Sequence, residues 1–207
     1  MNLPEKIKTI DSFNEFILKE KKSEFIGQIF LTESEEDAQK ILSSIKKKYY
    51  DASHHCYAYK LLDGKIKYSD DREPKGTAGI RILNAIEHFE LVNQLVVVIR
   101  YFGGTKLGVG PLGKAYYDCS INLLKTSKII IKNLYQKVII KTDYEHLSSV
   151  NRKLLSLKLK IEDSSFNDQT TIECLVKPGI FDKLKTEIAE LTQGRAELFA
   201  NKQFMYR

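Results

Sequence analysis

Apolar residues recur along this chain at two spacings, alternating in some stretches and at helical intervals in others. Glu5–Ile10, Phe13–Leu18 and Glu24–Leu31 read as short strands. Ser34-Glu-Glu-Asp37 has the form of a capping box, and Ala38, Ile41, Leu42, Ile45 and Tyr49 follow on one helical face. His55–Leu61 and Lys65–Ser69 flank Asp63-Gly64, a pair that suits a type I′ hairpin, in which both central residues take positive φ. Thr77 is placed to cap a helix running to Phe89, with Ile82, Leu83 and Ile86 turned inward. Leu95–Phe102 reads as a strand buried on both faces. Pro111 then falls in the first turn of a helix whose inner stripe is Leu112, Ala115, Tyr116, Cys119 and Leu123.

The pattern changes after about residue 130. Leu134–Thr142 reads as a strand, Asp143–Leu155 as a helix, and Leu157–Glu162 and Thr170–Val176 as strands. Gly179–Leu191 reads as a helix and Arg195–Phe204 as a closing strand. That order is βαββαβ, the split βαβ of ferredoxin-like domains. The expected fold class is therefore α+β in two domains. Residues 1–130 form an α/β domain with a mixed sheet, and residues 131–207 a small ferredoxin-like sandwich.

Composition narrows the class. The 207 residues are 43% hydrophobic and 29% charged, as in a globular protein. The longest apolar runs are far short of the roughly 20 residues that span a bilayer, so no membrane partner is expected. The opening Met-Asn-Leu-Pro-Glu-Lys has no apolar stretch of the kind a secretory signal needs. Cys56, Cys119 and Cys174 are odd in number and far apart, which fits free thiols in the cytoplasm. The formal net charge of +6 is a mild excess, compatible with a polyanionic partner but far from a basic tail.

Arg100 to Tyr116 holds five glycines and three basic residues, and two nucleotide fingerprints nearly fit it. Gly108 to Lys114 has the P-loop spacing, but Ala115 stands where Ser or Thr must ligate Mg²⁺. Gly108-Val-Gly110-Pro-Leu-Gly113 has the dinucleotide-binding spacing. The acid needed roughly 20 residues further on is missing from Lys128-Ile-Ile-Ile-Lys132. No nucleotide or other cofactor is expected. What remains is an anion-binding loop: Arg100, Lys106 and Lys114 carry charge, and Gly103, Gly104, Gly108 and Gly110 allow close backbone approach. Tyr101 and Phe102 offer faces for stacking, with Tyr116 and Tyr117 behind them, Tyr116 on the inner stripe of the helix. Basic residues interleaved with aromatics suit single-stranded or looped RNA. The alternative is a tight strand-to-helix connection with no ligand.

A second dense stretch is His54-His-Cys-Tyr-Ala-Tyr59 together with Tyr68 to Gly79. On a strand His54 and His55 point to opposite faces and cannot share a metal. His55 with Asp70, Asp71 and Glu73 would make an oxygen-rich site; the other reading has the acids capping the turn and the following helix. No metal is expected, and Cys56 next to His55 lacks the geometry of a catalytic pair.

The combination of His54-His55-Cys56-Tyr57-Ala58, Ser69-Asp70-Asp71, Glu73-Pro74, Gly76-Thr77-Ala78-Gly79 and Arg100-Tyr101-Phe102-Gly103-Gly104 resembles the YigZ/Impact family. The resemblance extends through Leu107, Gly108, Gly110, Leu112 and Ala115-Tyr116. Arg72 and Pro111 depart from it, each standing where the family has Gly. The resemblance implies a ribosomal protein S5 domain 2-like first domain and a ferredoxin-like second domain, similar to the last two domains of elongation factor G. It also implies a role in translation, since eukaryotic relatives regulate initiation through protein partners. The expected function is thus non-catalytic binding of RNA or a ribosomal component. One alternative is an enzyme acting on a phosphate-bearing small molecule through His55 or Asp70. The other is a purely protein-binding regulator.

Overall fold

A computed structural model describes residues 3–166 and 170–207. In chain order the elements are β1 (Lys6–Ile10), β2 (Asn14–Glu20), β3 (Ser23–Leu31), α1 (Glu35–Lys48), β4 (His54–Lys60), β5 (Ile66–Ser69), α2 (Gly79–His88), β6 (Gln94–Tyr101) and α3 (Val109–Thr126). There follow β7 (Ile129–Thr142), α4 (Tyr144–Ser156), β8 (Lys160–Phe166), β9 (Thr170–Val176), α5 (Phe181–Leu191) and β10 (Glu197–Tyr206). The chain divides into two compact units, Lys8–Ile131 and Lys132–Arg207 joined by residues 1–7. Sequence reading put residues 1–7 in the first domain. Residues 3–7 belong with the second instead: Leu134 N–H donates to the Glu5 carbonyl and the Tyr206 hydroxyl to the Pro4 carbonyl, each at 2.8 Å.

In the first unit the sheet order is β2-β3-β6-β4-β5. The sequence suggested a mixed sheet, but every pairing in it is antiparallel. The continuous apolar run of β6 arises in another way. Helix α1 covers one face, where Leu95, Val97 and Ile99 meet Ala38, Leu42 and Ile45. Helices α2 and α3 cover the other, where Val96 and Val98 meet Ile82, Ile86, Tyr116 and Leu123. Burial on both faces of an antiparallel strand yields the same run that a parallel sheet would.

Local signals hold at several ends. Ser34 Oγ accepts from the Asp37 N–H at 3.1 Å and caps α1. The Asp63-Gly64 connection differs from expectation, because only Gly64 has positive φ (89°). Gly64 N–H donates to the Leu61 carbonyl and Leu61 N–H to the Lys65 carbonyl, so a turn closes with a glycine bulge. Conversely, Lys21 and Lys22 adopt the two positive φ values of a tight hairpin between β2 and β3 (43° and 66°).

The second unit is the βαββαβ sandwich, with strand order β10-β7-β9-β8 and a core of Val138, Ile140, Val150, Leu154, Ile172, Cys174, Leu184 and Ile188. Strand β8 begins three residues later than Leu157, because Leu157 ends α4 and Lys158 turns with φ 54°. Among the described residues no helix is long and apolar enough to cross a membrane.

Candidate functional site

The two dense stretches of the sequence meet at one end of the first sheet. Strand β4 pairs with β6 so that His54 lies opposite Arg100 and Cys56 opposite Val98. Alternation then sends His54, Cys56 and Arg100 to the face covered by α2 and α3, and His55 and Tyr101 to the face covered by α1. His55 Nε2 lies 2.9 Å from the Tyr49 carbonyl, and Tyr101 donates its hydroxyl to Asp51 at 2.8 Å.

On the α2/α3 face the centre is Glu73. Its Oε1 accepts from Arg100 Nη1 at 2.6 Å and from the Tyr116 hydroxyl at 2.8 Å, and His54 Nε2 lies 3.7 Å away. Only 8% of Glu73 and 4% of Arg100 are exposed, so this is a buried pair whose charges compensate each other. Arg100 also reaches Ser23 Oγ at 3.3 Å, and its guanidinium lies 5.3 Å from the Phe25 ring centre and 5.5 Å from that of Phe102. Burial pushes the Cys56 thiol far above the usual thiol range, its hydrogen bond to Tyr116 notwithstanding, and the nearby Glu73 charge adds to the shift. Cys56 is therefore a packed thiol.

The loop before α2 is organised by Asp70. Sequence placed Thr77 as the cap, but the Thr77 hydroxyl donates to the Pro74 carbonyl at 2.6 Å and the helix has no side-chain cap of its own at Ala78. The Asp70 carboxylate substitutes, accepting from the N–H groups of Gly76 (2.9 Å), Ala78 (3.0 Å) and Gly79 (2.8 Å). A carboxylate at a helix N-terminus satisfies unpaired donors and the helix dipole together. Asp71 Oδ2 takes the His55 N–H at 2.6 Å, Ser69 Oγ takes the Asp71 N–H at 3.2 Å, and His54 Nδ1 lies 2.8 Å from the Asp71 carbonyl. Both Asp70 oxygens, Asp71 Oδ2 and Glu73 Oε1 thus accept hydrogen bonds from the protein's own donors. Between Asp70 and Glu73 the chain turns through two left-handed residues, Asp71 at φ 38° and Arg72 at φ 69°.

The glycine loop separates into parts with different roles. Arg100, expected at a phosphate, is instead interior, because the α2/α3 face is where its strand position points it. Gly103 is required by the protein itself: a Cβ there would sit 2.1 Å from the Lys22 carbonyl carbon and oxygen. Gly103 N–H donates to Ser23 Oγ and Phe102 N–H to Ser53 Oγ, each at 3.2 Å. These two serines carried no sequence signal, being single hydroxyls distant in the chain from the loop they hold. Gly104 and Gly108 take positive φ (80° and 90°), and Gly104 and Gly110 have open space around them. From Phe102 to Pro111 every residue but Gly103 and Leu107 is exposed. Helix α3 begins there without a side-chain cap and without an acid in its first turn. Pro111, at its third position, removes one donor, while Val109 and Gly110 keep theirs. Exposed cations lie along the loops: Lys22, whose backbone abuts Gly103; Arg72, whose Nη2 lies 3.4 Å from the Ser53 carbonyl; and Lys106 and Lys114 on the loop and helix. Tyr116 is fully buried, and Tyr117 packs against the same core.

Residues 21–124 match the Impact N-terminal domain, and residues 140–195 a domain of unknown function, DUF1949. The chain belongs to the Impact family. It is 29% identical to the IMPACT family member YvyE of Bacillus subtilis, over 92% of this chain and 88% of that one. It is 32% identical to an IMPACT family member of Haemophilus influenzae, over 84% of this chain and 87% of that one. A crystal structure titled as that of a hypothetical protein superposes with a TM-score of 0.68 at 25% identity, covering 97% of this chain and all of that one. The fold of this chain is α+β, an S5 domain 2-like domain followed by a ferredoxin-like one. His54, Arg100 and Tyr116, from three separate stretches of the first match, meet at Glu73, and Cys56 meets the Asp70 carbonyl.

Proposed function

We propose that this Impact-family protein is a cytoplasmic, non-catalytic binder of RNA or of a ribosomal component, and that it modulates translation. One contrast carries the reading. The N-terminus of α2 is already occupied by the Asp70 carboxylate, whereas that of α3 is exposed and uncapped beside Lys106 and Lys114. A helix start of that kind, with cations around it, suits a phosphate. The setting also speaks against chemistry. His55 and Asp70 are engaged by backbone groups, the Cys56 thiol is held protonated by burial, and the loop is an open surface. The translational role rests on the resemblance to eukaryotic relatives.

Titration of labelled ribosomal RNA at several salt concentrations tests the reading. Binding weakens steeply with salt, because each neutralised phosphate releases counterions. Lys106→Ala and Lys114→Ala each flatten the log–log slope by about 0.7 to 0.9. Binding by wild type with unchanged slopes in both variants would remove this loop from the interface. Tight binding of a phosphorylated small molecule in place of RNA would favour the enzyme.

A further inference from the structure

The loop sequence offers four aromatic rings to a ligand, Tyr101, Phe102, Tyr116 and Tyr117, and the structure leaves only one of them free to act. Tyr116 is fully buried, Tyr117 packs on the core, and Tyr101 turns to the α1 face, where its hydroxyl meets Asp51. Phe102 is 47% exposed. We infer that Phe102 is a stacking platform for an unpaired nucleobase, so that the ligand is single-stranded or locally unpaired nucleic acid. This rests on the RNA reading above and goes further, because phosphate contacts alone do not distinguish a duplex from a single strand.

The ring is held for such a role. Beneath it, 5.5 Å from the ring centre, lies the Arg100 guanidinium, itself pinned by Glu73 at 2.6 Å and Ser23 at 3.3 Å and packed on Phe25. The backbone on either side is fixed by the two serine hydroxyls that accept from Phe102 N–H and Gly103 N–H. A ring already immobilised loses little freedom when a base stacks on it. Every base presents a π-face, so the contact selects unpaired bases without selecting sequence. Lys22, whose backbone abuts Gly103, and Lys106, further along the same loop as Phe102, are exposed cations near it in the chain path.

The protein contains no tryptophan, so Phe102→Trp introduces a single indole at the platform. The full chain is titrated with a short oligoadenylate, with an abasic strand of the same length, and with duplex RNA of the same length. Labelled-strand anisotropy is read alongside indole emission. The oligoadenylate quenches the indole and the abasic strand does not. Without the indole, Phe102→Ala weakens oligoadenylate binding about 5- to 150-fold, the range expected for one stacked base. Phe102→Tyr restores it, and Phe102→Ala lowers the urea midpoint only slightly, since nearly half of the ring is exposed and its covered side rests on the Arg100 guanidinium. Oligoadenylate binding that is equally tight in Phe102→Ala, or matched by the abasic strand, would overturn the platform while leaving the RNA reading intact. Preference for the duplex would do the same. Failure of the wild-type chain to bind any of the three strands would overturn both.

Discussion

Arg100 Nη1 lies 2.6 Å from Glu73 Oε1, in a pocket that leaves 4% of the arginine and 8% of the glutamate exposed. The pair joins the end of β6 to the loop before α2, and through the Tyr116 hydroxyl it reaches α3 as well. Residues 27 positions apart in the chain thus fix the end of the sheet on which the exposed loop is built.

Removing one partner strands the other charge. Glu73→Ala is expected to destabilise the protein by about 3–5 kcal/mol, the cost of an uncompensated buried ion. Glu73→Leu combined with Arg100→Met recovers much of that loss, because apolar groups of similar size need no partner. Urea unfolding of Glu73→Leu, Arg100→Met and the double variant measures the coupling. Additive losses would show that the two side chains do not act as a pair.

Arg72 holds a left-handed conformation at φ 69° that costs an L-residue roughly 1–2 kcal/mol. Its side chain is 77% exposed, so little is lost with it. Arg72→Gly is therefore expected to raise stability by up to about 1 kcal/mol after the extra backbone entropy of glycine is subtracted. Thermal melting should show a gain of about 2–4 °C, as befits a chain of this size. A fall in melting temperature would mean that the Arg72 contacts outweigh the strain.

Two glycines of the same loop separate architecture from binding. Gly103→Ala forces a Cβ to 2.1 Å from the Lys22 backbone, so the protein unfolds or its β2–β3 hairpin shifts. Gly110 lies in the first turn of α3 with nothing within 4 Å, and alanine there strengthens the helix by about 0.5–1 kcal/mol. If phosphate approaches the N–H groups of Val109 and Gly110, Gly110→Ala also weakens RNA binding. Circular dichroism melts and RNA titrations on the two variants give the answer, and a more stable Gly110→Ala with undiminished affinity would place the phosphate elsewhere.

The buried thiols predict an alkaline limit. Burial raises Cys174 from 9.0 to about 11 and Cys119 to about 12, and moves Cys56 further still. Above pH 9 the unfolded chain releases these protons while the native protein keeps them. Stability is thus fully present below pH 9 and declines as pH rises through about 11 and 12. Urea midpoints from pH 7 to pH 10.5, together with thiol labelling that proceeds only on unfolding, check this. Rapid labelling of the native protein at pH 8 would contradict it.

Elements whose causes are local can be read from the residues alone. The capping of α1 by Ser34, the stripes of α1 and α3, the βαββαβ order and the Impact signature are all properties of neighbouring residues. What the signature residues do depends on contacts between distant parts of the chain. Asp70 caps a helix nine positions ahead, in place of Thr77. Arg100 turns inward to a carboxylate when charge alone would send it outward. Gly103 answers to Lys22, in a hairpin on the far side of the sequence. Even the sheet's direction was hidden, because a strand covered by helices on both faces reads as an apolar run whichever way its neighbours point. Periodicity records how much of a residue is buried, and the partner it is buried against is set by the path of the chain.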